Sequence, residues 1–250
     1  MEWSDQGIVL SVRGHGETAA IVSLMSRERG RHLGLVHGGQ GRRMRGILQP
    51  GNLLDVRWRA RLSEHLASYN CELTRAYSGG VFDDALKLHA LSAALGLVDA
   101  ALPEREPHGP LFERLTQLLG DLQGEDWQAG YVRFEIDLLR ELGFGLDLSC
   151  CAATGTTEDL AFVSPVTGRA VSRPAAQPYR ARLLPLPSFL IEATSGAGEF
   201  ATGLALTAHF LERHVLAPHG GAMPAARVRL AQGFARLDAA VRRPGSKSTD

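Results

Sequence analysis

The sequence has little cysteine: three residues, Cys71, Cys150 and Cys151. Adjacent cysteines pair poorly and one thiol is left over, so no disulfide framework is expected and a reducing cytosol is the simplest setting. No window approaches the roughly 18 apolar residues of a spanning helix, which argues against membrane insertion. Acidic Glu2 and Asp5 stand where a secretory leader carries positive charge, and no long apolar run follows them. Catalytic signatures are missing as well. There is no GxxxxGKS or GxxxxGKT phosphate loop, no GxGxxG opening a helix after a strand, and no GxSxG, HExxH or HRD, so no catalytic residue and no cofactor are expected.

Lysine is scarce too: Lys87 and Lys247 stand among 27 basic residues, and this arginine excess is not itself a binding signal. The formal net charge is zero, but it is unevenly spread. Residues 1–80 carry 11 Arg against 7 Asp and Glu, a balance of +4, and the remainder carries −4. The basic portion is the one expected to meet a polyanion. With 250 residues and 44% hydrophobic content, the chain can bury a full core in one large domain or two modest ones.

What is there falls into two rhythms. Up to residue 80 the runs DQGIVLSVRG, ETAAIVSLMSRERG, RHLGLVHGG, GNLLDVRWRARL and HLASYNCELTRA are short, rich in Ile, Val, Leu or aromatics, and bounded by Gly, Asn or charged turns. Five such runs predict five strands, the size of an OB-fold β-barrel. From Val81 the period becomes helical. FDDALKLHALSAALGLVDAAL has an Asp83 or Asp84 cap and Pro103 beyond its end; GPLFERLTQLLGDL and DWQAGYVRFEIDLLRELG follow. Residues 145–188 break that rhythm, with Pro165-Val166-Thr167-Gly168 as a tight turn between two short strands. Two more helices, ATGLALTAHFLERHVL and PAARVRLAQGFARLDAAVRR, close the fold, and the final GSKSTD is expected to fray. The expected architecture is therefore α+β: an OB-fold barrel over 1–80 and a mainly helical domain over 81–250.

The candidate chemistry lies in VHGGQGRRMRGILQPGNLLDVRW. Gly38, Gly39, Gly41 and Gly46 bring backbone N–H groups within reach of phosphates, and Arg42, Arg43 and Arg45 offer bidentate contacts from a mobile loop. Taken alone, such a loop is equally a solvated hairpin tip. In VRWRARL, strand parity puts Arg57, Arg59 and Arg61 on one face, where like charges repel unless a polyanion or carboxylates lie nearby. Trp58, on the opposite face, is expected in the core. Arg13 and Arg31 are further candidates for phosphate contact. Glu135 and Asp137 read as a solvated helix face, His209 and His214 share no face suited to ligation, and Cys150 with Cys151 lack the second pair that a structural zinc site needs, so no metal is expected.

Over essentially its whole length the chain resembles the bacterial recombination and repair protein RecO family. The segments LQPGNLL-x-x-x-WRARL and FVSP-x-x-GRAVS carry the resemblance most specifically. It implies a cytoplasmic, nucleoid-associated mediator without an active site. Such a mediator binds single- and double-stranded DNA, anneals complementary strands, and with RecR, and RecF where present, loads RecA onto strands coated by single-stranded-DNA-binding protein. Family members can hold zinc through four cysteines in the segment corresponding to 145–182; here a zinc-finger-like segment lacking its ligands is implied. The family also binds the acidic tail of single-stranded-DNA-binding protein, and Arg227, Arg229 and Arg236 are candidates for the basic rim of that pocket, each alternatively a solvated helix residue. Two rival classes remain: a protein–protein adaptor whose barrel binds a partner, and a metal-dependent nuclease, which would need clustered carboxylates.

Overall fold

The structure, a computed structural model, describes residues 1–60, 67–192 and 196–242. By contacts the chain forms two compact units, Met1–Glu125 and Asp126–Asp250. That division falls well after the change of period at Val81.

The first unit opens with β1 (Glu2–His15), β2 (Ala19–Ser26) and β3 (Gly30–Val36), followed by a short helix α1 (Arg42–Ile47), β4 (Leu53–Arg59) and β5 (Ser68–Arg75). The five strands form a closed barrel in the order β1-β2-β3-β5-β4. One long strand makes closure possible. β1 pairs with β4 through Glu2–Ile8 and with β2 through Gly7–His15, with a register shift between Val9 and Ser11. β4, LLDVRWR, shows the alternation that such a sheet requires: Leu54, Val56 and Trp58 point inward, while Asp55, Arg57 and Arg59 point out. The barrel interior is filled by Val9, Val22, Leu24, Leu54, Val56, Trp58 and Tyr69, so Trp58 is a core residue as its parity predicts. Gly34 on β3 is required by close approach, because a Cβ there would lie 2.4 Å from the Tyr69 ring.

α2 (Ala85–Ala101) and α3 (Gly109–Asp121) complete this unit. Asp84 caps α2 by accepting from the backbone N–H groups of Leu86 and Lys87. Near the other end of α2, Asp99 accepts the hydroxyls of Ser11 at 2.9 Å and Ser23 at 2.6 Å, which fastens the helix to the barrel wall.

The second unit contains α4 (Gln128–Glu141), β6 (Leu160–Val163), β7 (Ala170–Ser172), a short α5 (Arg173–Ala176), β8 (Leu184–Pro185), α6 (Phe200–Phe210) and α7 (Ala225–Arg242). α6 runs on into one π-helical turn, Leu211–Leu216. The strands form a three-stranded sheet in the order β7-β6-β8. The β6–β7 turn falls at the expected Pro165–Gly168, closed by Gly168 N–H to the Ser164 carbonyl at 2.9 Å. Trp127 and Phe200 each pack against Phe234, with ring centroids 5.6 and 5.4 Å away, and Tyr131, Phe134 and Phe189 are fully buried in this unit.

Candidate nucleic-acid interface

The segment expected to be a mobile loop folds instead as α1. Its helical turn begins at Gly41, and Met44 and Ile47 pack against the barrel core, with Leu48 just beyond buried in it. This anchoring leaves Arg42, Arg43 and Arg45 exposed on the opposite side. Arg45 is further held by Nε donating to the Gln40 carbonyl at 2.6 Å. Asn52 steadies the following turn by donating to the carbonyls of Gly46 and Ile47, each at 3.1 Å. Three guanidiniums are thus displayed from an ordered turn, with less conformational freedom to lose on meeting phosphates than a flexible loop would have.

Arg57 and Arg59 project outward from β4, but they are not unopposed. The antiparallel β1–β4 register sets Glu2 against Arg59 and Ser4 against Arg57. Glu2 reaches both guanidiniums, with Oε1 2.8 Å from Arg57 Nε and Oε2 3.1 Å from an Arg59 Nη. This is the nearby carboxylate that the like-charged face calls for, and it lies 57 residues from Arg59 in sequence. Both arginines remain about two-thirds exposed, so solvent screens the pairs and each contributes little to stability. Arg61 lies outside the described residues. Arg13, on β1, is exposed and makes no ion pair with a described residue.

Arg31 corrects the sequence reading. Its Nε donates to the Leu102 carbonyl at 2.8 Å, and its guanidinium faces Asp99 at 3.6 Å and Glu104 at 3.7 Å, with the side chain only 17% exposed. It joins β3 to the end of α2 and is not available to a phosphate backbone.

Arg227 is likewise misplaced by the sequence reading. It is buried in the second unit, with its Nε and Nη2 donating to Glu135 and Nη2 also donating to the Leu204 carbonyl at 2.8 Å. The Glu135 carboxylate raises the guanidinium pKa against the opposing effect of burial. Glu135, read from its spacing as a solvated residue, is fully buried. Arg229 and Arg236, by contrast, are exposed on α7.

The residues of 145–188 do not fit a zinc centre. Cys151 is 1% exposed, and its Sγ accepts hydrogen bonds from the Ser172 N–H at 3.3 Å and the Ser172 hydroxyl at 3.4 Å. Burial raises the thiol pKa, but these bonds, with others from Thr154 and Ala153, outweigh it and bring the value down to about 6. Among the described residues no three His, Cys, Asp or Glu side chains are grouped to hold a metal ion. His209 bonds to the Pro165 carbonyl at 3.1 Å, and His214 stacks on Phe144. No described helix is long and apolar enough to cross a membrane.

A closed five-stranded barrel that displays arginine, followed by a helical unit with a small sheet, defines the class: a two-part protein with a basic barrel surface. Residues 1–77 match the family described as recombination protein O N terminal, and residues 83–221 match recombination protein O C terminal. The chain therefore belongs to the recombination protein O family. It is 56% identical over 237 residues to the DNA repair protein RecO of Rhodospirillum centenum, covering 94% of this chain and 95% of that one. It is 49% identical over 251 residues to the protein of the same name from Rhodospirillum rubrum, covering 97% and 100%. With that of Phenylobacterium zucineum it shares 51% identity over 233 residues, covering 92% and 96%.

Proposed function

We propose that this protein acts in DNA repair and recombination as a non-enzymatic, cytoplasmic mediator. It binds single- and double-stranded DNA without sequence preference through the N-terminal barrel, which we read as an OB-fold. The observation that carries this reading is the set of exposed guanidiniums on one barrel: Arg42, Arg43 and Arg45 on α1, Arg57 and Arg59 on β4, and Arg13 on β1. Side chains of this kind neutralise phosphates and release counterions, which gives affinity that is indifferent to sequence and sensitive to salt. Held on one basic surface, two complementary strands repel each other less, and annealing follows. Membership of the family supports the wider role: cooperation with RecR, and with RecF where present, in loading RecA onto strands coated by single-stranded-DNA-binding protein, whose acidic tail would meet exposed Arg229 or Arg236.

Strand annealing of complementary oligonucleotides, with and without the cognate single-stranded-DNA-binding protein, tests the proposal. Acceleration in both conditions, falling as salt rises, is expected. No acceleration and no salt-sensitive retention on immobilised single-stranded DNA would leave the adaptor reading in its place.

A further inference from the structure

On the barrel, away from the α1 arginines in sequence, lies a cleft of about 440 Å³ whose walls include Trp3, His32, Trp58, Arg29 and Arg105. Its volume is within the range of small-ligand sites. The aromatic floor is built by register: β1 and β4 set Trp3 directly opposite Trp58, and the two indoles stack with centroids 5.5 Å apart and planes 12° from parallel. His32 meets the Trp3 ring edge-on at 5.2 Å. Trp3 is half-buried and is the aromatic of the cleft with exposure to solvent, while His32 at 8% and Trp58 at 6% form its buried backing. Trp58 Nε1 is buried in the wall with no hydrogen-bond partner among the described residues.

The rim is charged and available. Arg29 and Arg105 are exposed and make no ion pair with a described residue. Arg105 holds a left-handed backbone, φ 65°, which is uncommon for a residue with a Cβ, and its N–H donates to the Arg31 carbonyl at 2.8 Å. The same loop presses on β3 so closely that a Cβ at Gly30 would lie 1.8 Å from the Glu106 carbonyl oxygen. The wall carrying Arg105 is therefore fixed against the strand carrying His32. Burial, then the charges of Arg105 and Arg29, hold the His32 imidazole below its ordinary pKa against the pull of Glu104. Glu2 and Glu28 also line the cleft; the Glu2 carboxylate is already engaged by Arg57 and Arg59.

A partly exposed indole flanked by unpaired guanidiniums is an arrangement that single-stranded nucleic acid uses, with bases stacking and phosphates neutralised. We propose that this cleft takes one unpaired base of single-stranded DNA, the base lying against Trp3, backed by His32, and the adjoining phosphates reaching Arg29 and Arg105. This rests on the reading of the barrel as a DNA surface and adds a preference: a base already paired in a duplex is not free to enter.

The test compares an oligothymidylate with an abasic oligomer of the same length and charge. Both are titrated into the full chain while tryptophan emission and the anisotropy of a labelled strand are followed. Expected are quenching by the oligothymidylate alone and about tenfold tighter binding than the abasic strand. Trp3→Phe should remove most of the quenching, and Arg29→Ala with Arg105→Ala, at exposed positions, should weaken oligothymidylate binding severalfold. Equal affinity for the two strands without quenching overturns the base site and leaves phosphate binding intact. Failure of both strands to bind overturns the DNA reading itself.

Discussion

Glu2 and Arg57 are joined across the β1–β4 seam at 2.8 Å, and the same carboxylate holds Arg59. The outward face of β4 is thus partly neutralised from within the barrel. On the proposed reading, phosphates would compete with Glu2 for these guanidiniums. Glu2→Gln is expected to tighten single-stranded DNA binding by a fewfold at low salt. It should also steepen the plot of log affinity against log salt by up to about 0.7 for each arginine released. Anisotropy titrations at several salt concentrations measure both, and a flatter slope would contradict the arrangement.

Arg42, Arg43 and Arg45 are exposed while Met44 and Ile47 carry the packing of α1. Replacing the three arginines with Ala should leave thermal stability within about 0.5 kcal/mol of the parent. It should weaken DNA binding and flatten the salt slope by up to about 2. Unchanged affinity with unchanged slope would remove α1 from the interface.

Arg227→Ala leaves Glu135 charged in a site that is 0% exposed. Losing one partner of such a pair costs about 3–5 kcal/mol, so the second unit should unfold at markedly lower denaturant concentration. Arg229→Ala, at an exposed position on the same helix, should cost little. If the two variants were equally mild, the buried pair would not be present in solution.

Cys151 supplies a pH dependence. Its folded pKa, about 6, lies below the ordinary 9.0. The folded protein therefore binds fewer protons between these values, and stability from this group is fully present above about 9 and lost as pH falls through about 6. The difference in Tm between the parent and Cys151→Ala should widen as pH rises from 6 to 9. A difference independent of pH would show the thiol to be un-ionised throughout.

Much of this fold was legible in the sequence because it rests on local pattern. The alternation in LLDVRWR, the Asp84 cap and the Pro165–Gly168 turn each reflect neighbouring residues alone. α1 was not legible: Gly38, Gly39, Gly41 and Gly46 argue for a loop, and the turn becomes helical because Met44 and Ile47 find a barrel end to cover. The site was half legible. Arg42, Arg43, Arg45 and the outward parity of Arg57 and Arg59 could be read directly. Arg31 and Arg227 were misread because burial of an arginine depends on partners far along the chain, Asp99 for one and Glu135 for the other. The Trp3–Trp58 pair was hidden for the same reason, since only strand register brings them together.

The fastening of Asp99 to Ser11 and Ser23, with Arg31 reaching Leu102, has a practical meaning for anyone dividing this protein. A fragment ending near residue 80 would strip the barrel of the helix that receives three of its polar side chains, leaving a cation and two hydroxyls on a raw surface. A fragment carried through Glu125 keeps those partners. The piece expected to keep the barrel intact on its own is therefore the barrel together with α2 and α3, and the linker to cut is the one before Trp127.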